Sequence, residues 1–215
     1  RMARLKESGA TTKCEAAVRN ALKFITKNQN EDGSFGNGKD GYPAAVTALA
    51  ILAYLGHGET PDSPELGDTV TKATLYLLER ASKSDGDYIH SPESGAGDRA
   101  ICYEHPIVTY ALCEMYTMTK ASGAAARLPR LESAMKRAVR GVIQAQTRNG
   151  SWSYHYNQNG GHMDTSIVGW NFQALKAASN TGEKISGLRS ALEKAIDHFK
   201  DCLLYTSPSP RDSDQ

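Results

Sequence analysis

The sequence predicts an all-α fold, because apolar residues recur at helical spacing and because two kinds of helical segment alternate along the chain. One kind is amphipathic, with a single apolar stripe, and the other is apolar nearly all round. An amphipathic helix buries one side, whereas a helix that is apolar all round has to be covered on every side. We therefore expect two layers, with the amphipathic helices outside and the apolar helices inside.

The first two segments show this contrast. Thr12 and Glu15 form a capping-box pattern that starts an amphipathic helix over 12–28, with lysines and arginines between its apolar positions. Pro43 suits a first helical turn and opens an apolar segment over 43–55, which glycines then end. The first segment is thus predicted to lie outside and the second inside.

The same alternation continues through the rest of the chain. Amphipathic helices are predicted over 63–82, 128–146 and 187–200, and apolar helices over 104–119 and 164–178. An Ala-Leu pair recurs in the three apolar segments at Ala48, Ala111 and Ala174, an interval of 63 residues each time. A fixed interval combined with the alternation indicates an internal repeat.

A shared motif follows the amphipathic helices: a glutamine near the helix end, a glycine turn and then an aromatic residue. Its residues are Gln29, Gly33 and Phe35 in the first copy, Gly86 and Tyr88 in the second, and Gln146, Gly150 and Trp152 in the third. The second copy has no glutamine at the matching place. Glutamine can bond orphan backbone groups at a helix end, glycine supplies a positive-φ turn, and the aromatic ring can fold back over the helix.

This pattern resembles the Gln-Trp repeat motif of the squalene cyclase and protein prenyltransferase superfamily. The inner segments 104–114 and 164–170 also look like bacterial proteins with prenyltransferase/squalene oxidase repeats, and the resemblance covers most of residues 12–200. It implies an α/α toroid, two concentric rings of helices around a central cavity. The three helix pairs and one further outer helix would form about half a ring, whose open ends expose apolar faces.

The resemblance also implies where chemistry would lie. Triterpene cyclases of this superfamily protonate an isoprenoid with an aspartate at the start of an inner helix, and Asp164 is the one acidic residue left at the matching place. It is the candidate catalytic acid. An aspartate at this position is also a good N-cap, and that interpretation is favoured, because no second carboxylate lies near it in sequence to raise its pKa.

Five residues are candidates for the wall of the implied cavity: His105, Tyr110, Glu114, His162 and Trp170. Glu114 stands out because it lies in an otherwise apolar helix. A buried carboxylate has to be paired or protonated, and the alternative is that Glu114 faces solvent near the helix end. The ligand implied by the resemblance is hydrophobic and isoprenoid-like.

Protein prenyltransferases of this superfamily hold zinc with Asp, Cys and His, and Asp98, Cys102 and His105 are weak candidates for such a site. Their spacing does not reproduce the Asp-x-Cys pair of the family. The alternative is a buried cysteine and a histidine near a helix start, so no metal and no other cofactor is expected.

Net charge, the length of apolar runs and the number of cysteines limit the classes of protein to which the chain can belong. With 25 basic and 24 acidic residues the formal net charge is +1, which gives no electrostatic reason to expect nucleic acid as a partner. No apolar run reaches the roughly 20 residues of a membrane-spanning helix, although membrane association is left open. Outside the last 14 residues the cysteines are odd in number and unpaired in spacing, which weakly favours a reducing, cytoplasmic location.

The end of the chain is expected to be foreign to the fold. Residues 202–212 match the translation of a transposon sequencing adapter residue for residue, so we expect a helical-repeat domain over 1–201 and a non-native tail over 202–215. Two functional hypotheses remain for the parent protein: an enzyme that binds or cyclises an isoprenoid, or a non-catalytic binding scaffold. A zinc-dependent prenyltransferase type is a further alternative, and the fragment itself is expected to be inactive.

Overall fold

A computed structural model describes residues 7, 9, 11–36, 41–83, 88–91, 98–159 and 163–206. Its α-helices are α1 (Thr12–Lys27), α2 (Pro43–His57), α3 (Gly67–Lys83), α4 (Asp98–Ser122), α5 (Leu131–Ala145), α6 (Thr165–Asn180) and α7 (Leu188–Thr206). A short 3-10 helix, Ala124–Arg127, lies between α4 and α5. Within the described residues there is no strand, only an isolated β-bridge between Ser153 and Met163, so the all-α prediction is confirmed.

Several helix boundaries differ from the sequence prediction, for example α3, which begins at Gly67 rather than at residue 63. The N-cap of α1 is Thr11 rather than Thr12, because the Thr11 hydroxyl accepts the hydrogen bond from the Cys14 amide. α4 begins at Asp98, well before the predicted start, and carries Pro106 inside the helix. α7 continues beyond residue 200 to Thr206, so helical backbone crosses the expected junction after Asp201.

The helices pack in two layers. The apolar helices α2, α4 and α6 lie side by side, and the amphipathic helices α3, α5 and α7 contact one another in sequence behind them. Each apolar helix also packs against the amphipathic helix that follows it. The two hydropathy patterns thus correspond to the two layers, because the inner helices are covered by neighbours on most sides.

The core lies between these layers. Small residues such as Ala44, Ala48 and Ala111 are completely buried on the inner helices, which allows close approach of neighbouring helices. The largest fully buried side chain is Trp152, from the loop after α5. α4 is the central element, since it packs against α2, α5 and α6.

Large apolar side chains remain exposed mainly on the first helix pair. Among the described residues they are Val18, Phe24, Tyr42, Val46, Leu49, Leu75, Met163 and Ile196. Five of these belong to α1, to α2 or to the residue before α2. The first helix pair is therefore an incompletely covered edge of the array.

Candidate functional site

The inner helices leave some side chains uncovered by their neighbours. On α4, Tyr103, Tyr110 and Glu114 are half-buried while nearly all residues between them are buried, and their spacing of seven and four places them on one helix face. On α2 the exposed large apolar side chains are Val46 and Leu49, which are 37% and 42% exposed.

Trp170 of α6 is half-buried and packs against the core with part of its indole. We call these six side chains the inner face: Val46, Leu49, Tyr103, Tyr110, Glu114 and Trp170. Tyrosine and tryptophan offer aromatic faces, and the aliphatic residues offer apolar area. Of the predicted cavity residues, it includes Tyr110, Glu114 and Trp170.

Glu114 is the acidic member of the inner face. Burial raises the pKa of its carboxyl above the usual value of 4.5. Burial also raises the pKa of Tyr110, and the negative charge of Glu114 adds to that shift. Glu114 is therefore protonated more readily than an exposed glutamate, which is the property required of a proton donor in apolar surroundings.

Asp164 caps α6. Its Oδ1 accepts hydrogen bonds from the Ser166 amide at 2.7 Å and from the Ser166 hydroxyl at 2.5 Å, and Tyr154 Oη donates to its Oδ2 at 3.4 Å. The cap satisfies an orphan amide of the first turn of α6. These contacts give Asp164 a structural role, as the N-cap interpretation predicted.

A cluster of hydroxyl groups surrounds this cap. Tyr103 Oη lies 2.9 Å from Ser166 Oγ, and the rings of Tyr103 and Tyr154 meet edge to face with centroids 6.2 Å apart. The hydrogen bond with Tyr103 and partial burial raise the pKa of Tyr154 to about 12. The sequence analysis missed both tyrosines, although Tyr103 lies two turns before Tyr110 on the same helix face.

His105 lies inside the core. Its side chain is completely buried, Nδ1 accepts the amide of Ile89 at 2.9 Å, and Nε2 is 2.9 Å from the carbonyl oxygen of Ala138. Burial lowers the pKa of His105 from 6.5 to about 4, so the ring is neutral at physiological pH. The structure thus places His105 between α4, α5 and the 88–91 segment rather than on a cavity wall.

Its neighbour Glu104, which the sequence analysis did not single out, is also buried, and both of its carboxylate oxygens accept hydrogen bonds. Its carboxylate accepts hydrogen bonds from the amide and hydroxyl of Ser91 at 2.9 and 2.7 Å and from the Ala45 amide at 3.3 Å. The Ser91 hydroxyl in turn accepts the amide of Ala44. Glu104 and Ser91 together accept hydrogen bonds from amides in the first turn of α2, which have no acceptor within the helix. A negative charge is favourable at this end of a helix.

Two of the three weak zinc candidates, Cys102 and His105, have described side chains, and both are completely buried. Cys102 is buried, which raises the pKa of its thiol to about 11, and both ring nitrogens of His105 are already in hydrogen bonds. Asp98 is the first residue of α4, and its side chain lies outside the described part of the chain. Among described side chains, no group of three or more His, Cys, Asp or Glu is arranged to hold a metal ion.

The two complete copies of the glutamine motif have the same geometry. Gln29 Nε2 donates to the carbonyls of Gly33 and Thr69, each at 3.0 Å, and so joins the end of α1 to α3. Gln146 Nε2 donates to the carbonyls of Gly150 at 3.1 Å and Ala191 at 2.9 Å, and so joins the end of α5 to α7. Each glutamine links one outer helix to the next.

The glycines and the aromatic residue of the motif complete this link. Gly33 and Gly150 have φ values of +88° and +84°, and a Cβ at either would collide with a backbone carbonyl of the next outer helix. The indole of Trp152 folds back and donates to the carbonyl of Val142 in α5 at 2.9 Å, as the motif predicted. Of the remaining predicted residues, Phe35 is buried and Tyr88 is half-buried, whereas Gly86 and His162 lie outside the described residues.

None of the described helices has the combination of length and hydropathy that a membrane-crossing segment requires. Comparison of the chain with protein-family models, with curated proteins and with solved structures finds no match.

Proposed function

We propose that the chain is part of an α/α toroid of the squalene cyclase and prenyltransferase type, and that its inner face binds an extended, isoprenoid-like apolar ligand. The observation that carries the proposal is the set of uncovered aromatic and aliphatic side chains on helices that are otherwise buried. An exposed apolar surface of this kind is costly in water and is typical of a binding surface. The two equivalent glutamine links between outer helices support the toroid part of the proposal.

Binding rather than catalysis is favoured by the contacts of Asp164. Its carboxylate is occupied by the amide and hydroxyl of Ser166 and by the Tyr154 hydroxyl. Hydrogen bonds to the charged form of a carboxylate oppose its protonation, whereas a catalytic acid has to hold a proton. The residue at the place of the cyclase acid therefore suits a cap better than a proton donor.

Tryptophan fluorescence tests the proposal, because the chain has two tryptophans in different environments. Trp152 is completely buried and Trp170 belongs to the inner face. Adding farnesol, a neutral isoprenoid alcohol, should change the emission of the wild type and leave that of Trp170→Phe unchanged. A straight-chain alcohol with the same number of carbons should bind more weakly.

Two leucines of nearly equal exposure provide a matched pair of variants. Leu49 of the inner face is 42% exposed and Leu75 of outer helix α3 is 41% exposed. Leu49→Asp should weaken farnesol binding by about tenfold, since burying a leucine contributes on the order of 2 kcal/mol and tenfold corresponds to about 1.4 kcal/mol. Leu75→Asp should bind like the wild type. Equal weakening by both variants, or no emission change at all, would contradict the proposal.

Acid-catalysed cyclisation is the second candidate, and one observation favours it: burial raises the pKa of Glu114. A protonated carboxyl beside aromatic rings could initiate a carbocation reaction, and aromatic faces stabilise cations. Incubation with farnesol, followed by mass spectrometry of the extracted products, tests this candidate. Products that form with the wild type and disappear with Glu114→Gln would favour an enzyme, and unchanged farnesol would leave binding as the function.

A further inference from the structure

A group of hydroxyls at the start of α6 adjoins the inner face at one residue, Tyr103. It consists of the hydroxyl groups of Tyr103, Tyr154 and Ser166 together with the carboxylate of Asp164, and we call these four groups the hydroxyl cluster. Tyr103 lies about 16 Å from Glu114 along α4, at about 1.5 Å per residue, so the inner face is elongated and has the cluster near one end. A ligand lying along α4 would therefore place one of its ends beside this cluster.

The direction of the hydrogen bonds in the cluster follows from the number of protons. The Ser166 hydroxyl has one proton, which it donates to Asp164 Oδ1 at 2.5 Å. Ser166 Oγ also lies 2.9 Å from Tyr103 Oη, and because the Ser166 proton is already used, Tyr103 is the donor of that bond. Tyr103 Oη thus has no proton left for a ligand and can only accept.

Tyr154 follows the same pattern. Its hydroxyl donates its one proton to Asp164 Oδ2 at 3.4 Å, and it also bonds to Tyr103. All three hydroxyl protons of the cluster are therefore directed at other members of the cluster. The oxygens of Tyr103 and Ser166 keep lone pairs, so both can still accept a hydrogen bond.

These two acceptors are accessible to a bound group, since Tyr103 is half-buried and Ser166 is exposed. A ligand group that donates a hydrogen bond to them replaces the bond that it loses with water. A ligand group that can only accept would face lone pairs, and it would lose its bond with water without a replacement, which is costly. The cluster therefore favours a hydrogen-bond donor at the end of the ligand.

Tyr110, seven residues after Tyr103 on the same helix face, lacks this selectivity. Its hydroxyl makes no hydrogen bond with another described residue, so its proton can rotate towards a ligand or away from it. Tyr110 can therefore donate to one ligand and accept from another. This difference makes Tyr110 a matched control for Tyr103.

We propose that the hydroxyl cluster binds the polar end of the inner-face ligand and selects an alcohol, whose hydroxyl donates to Tyr103, over an ether or an ester with the same carbon chain. This inference rests on the proposed function, because it concerns the ligand of the same surface. It adds the chemistry of the polar end and the orientation of the ligand. The alcohol lies at the start of α4 and α6, and the apolar chain runs past Tyr110 towards Glu114.

Farnesol and farnesyl methyl ether test the inference, because they share a carbon chain and only the alcohol has an O–H group. Tryptophan emission measures both affinities, and the readout is their ratio. The ratio in favour of farnesol should be roughly fivefold larger in the wild type than in Tyr103→Phe, the usual contribution of one net hydrogen bond. The affinity for the ether should change little in Tyr103→Phe. Tyr110→Phe should keep the wild-type ratio.

Ser166→Ala is a second variant that keeps the test decisive if Tyr103→Phe fails to fold. It should lower the ratio, because Tyr103 then has a proton that it can donate to the ether oxygen. A ratio that stays at the wild-type value in Tyr103→Phe or in Ser166→Ala, with both compounds bound, would overturn this inference and leave the proposed apolar binding standing. If the wild type binds neither compound, the proposed function and this inference fail together.

Discussion

At the scale of single residues, Asp164 shows how one position can be read in two ways. The resemblance to triterpene cyclases makes it a candidate acid, whereas its position before an apolar helix makes it an N-cap. The distinction depends on whether the carboxylate is free, and in the structure Ser166 and Tyr154 donate to both of its oxygens. An aspartate held in this way acts as the N-cap of α6.

Two substitutions at Asp164 separate these roles. Asp164→Ala should lower the free energy of unfolding by about 1 kcal/mol, the usual cost of losing an N-cap. Asp164→Asn should stay close to the wild type, because asparagine caps helices about as well as aspartate. Urea unfolding followed by circular dichroism measures both values. If the two variants lose stability equally, the negative charge of Asp164 contributes to stability beyond the hydrogen bonds of the cap.

At the scale of elements, helices were predicted better than the contacts between them. The alternation of hydropathy predicted which helices lie inside, because burial on every side requires an apolar surface all round. The glutamine motif predicted a bond from Gln146 to backbone groups but not its partner Ala191, which lies 45 residues later in the chain. Local patterns determine helices, whereas the partner of a side chain depends on how distant segments pack.

Glu104 and His105 illustrate the same limit. Glu104 is bonded by the 88–91 segment and by α2, and His105 is bonded to α5. None of these partners is close to Glu104 or His105 in the sequence. A carboxylate and an imidazole beside Pro106 suggest a polar helix start exposed to a cavity. Their burial becomes understandable only once Ser91, Ile89 and the Ala138 carbonyl supply hydrogen-bond partners.

His105 joins three elements and should make stability depend on pH. In the unfolded chain the ring binds a proton near its ordinary pKa of 6.5, whereas burial lowers the pKa of the folded ring to about 4. Between these values the unfolded state binds more protons, so stability is present above pH 6.5 and is lost as the pH falls towards 4. The full loss from this one group is on the order of 3 kcal/mol, at about 1.4 kcal/mol per pKa unit.

Comparing unfolding free energies at the two ends of this range isolates the contribution of His105. His105→Gln should be less stable than the wild type near neutral pH, because one or both buried hydrogen bonds are disturbed, but it should lose less stability on acidification. His155→Gln, which changes an exposed histidine, should keep the wild-type dependence. An unchanged acid loss in His105→Gln would show that the pH dependence arises from other groups.

At the scale of the whole molecule, packing is uneven along the array. α4 packs against α2, α5 and α6, whereas α1 packs against α2 and buries only Leu22. In an array of this kind each element is stabilised mainly by its neighbours, so an element with few neighbours unfolds at lower cost. The exposed apolar side chains of the first helix pair that lie outside the inner face, Val18, Phe24 and Tyr42, belong to this weakly covered edge.

Native-state hydrogen exchange in increasing urea should therefore resolve a gradient. At low urea the α1 amides should exchange by local opening, with a small free energy and little dependence on urea, whereas the α4 amides should exchange only through global unfolding. The free energy of opening measured from the α4 amides should equal the free energy of unfolding measured by urea unfolding followed by circular dichroism. The difference follows from buried area, since opening α1 exposes one buried apolar side chain and opening α4 exposes the centre of the core. Equal free energies for α1 and α4 would mean that the first helix is part of one cooperative unit, and the edge would then be more firmly packed than its contacts indicate.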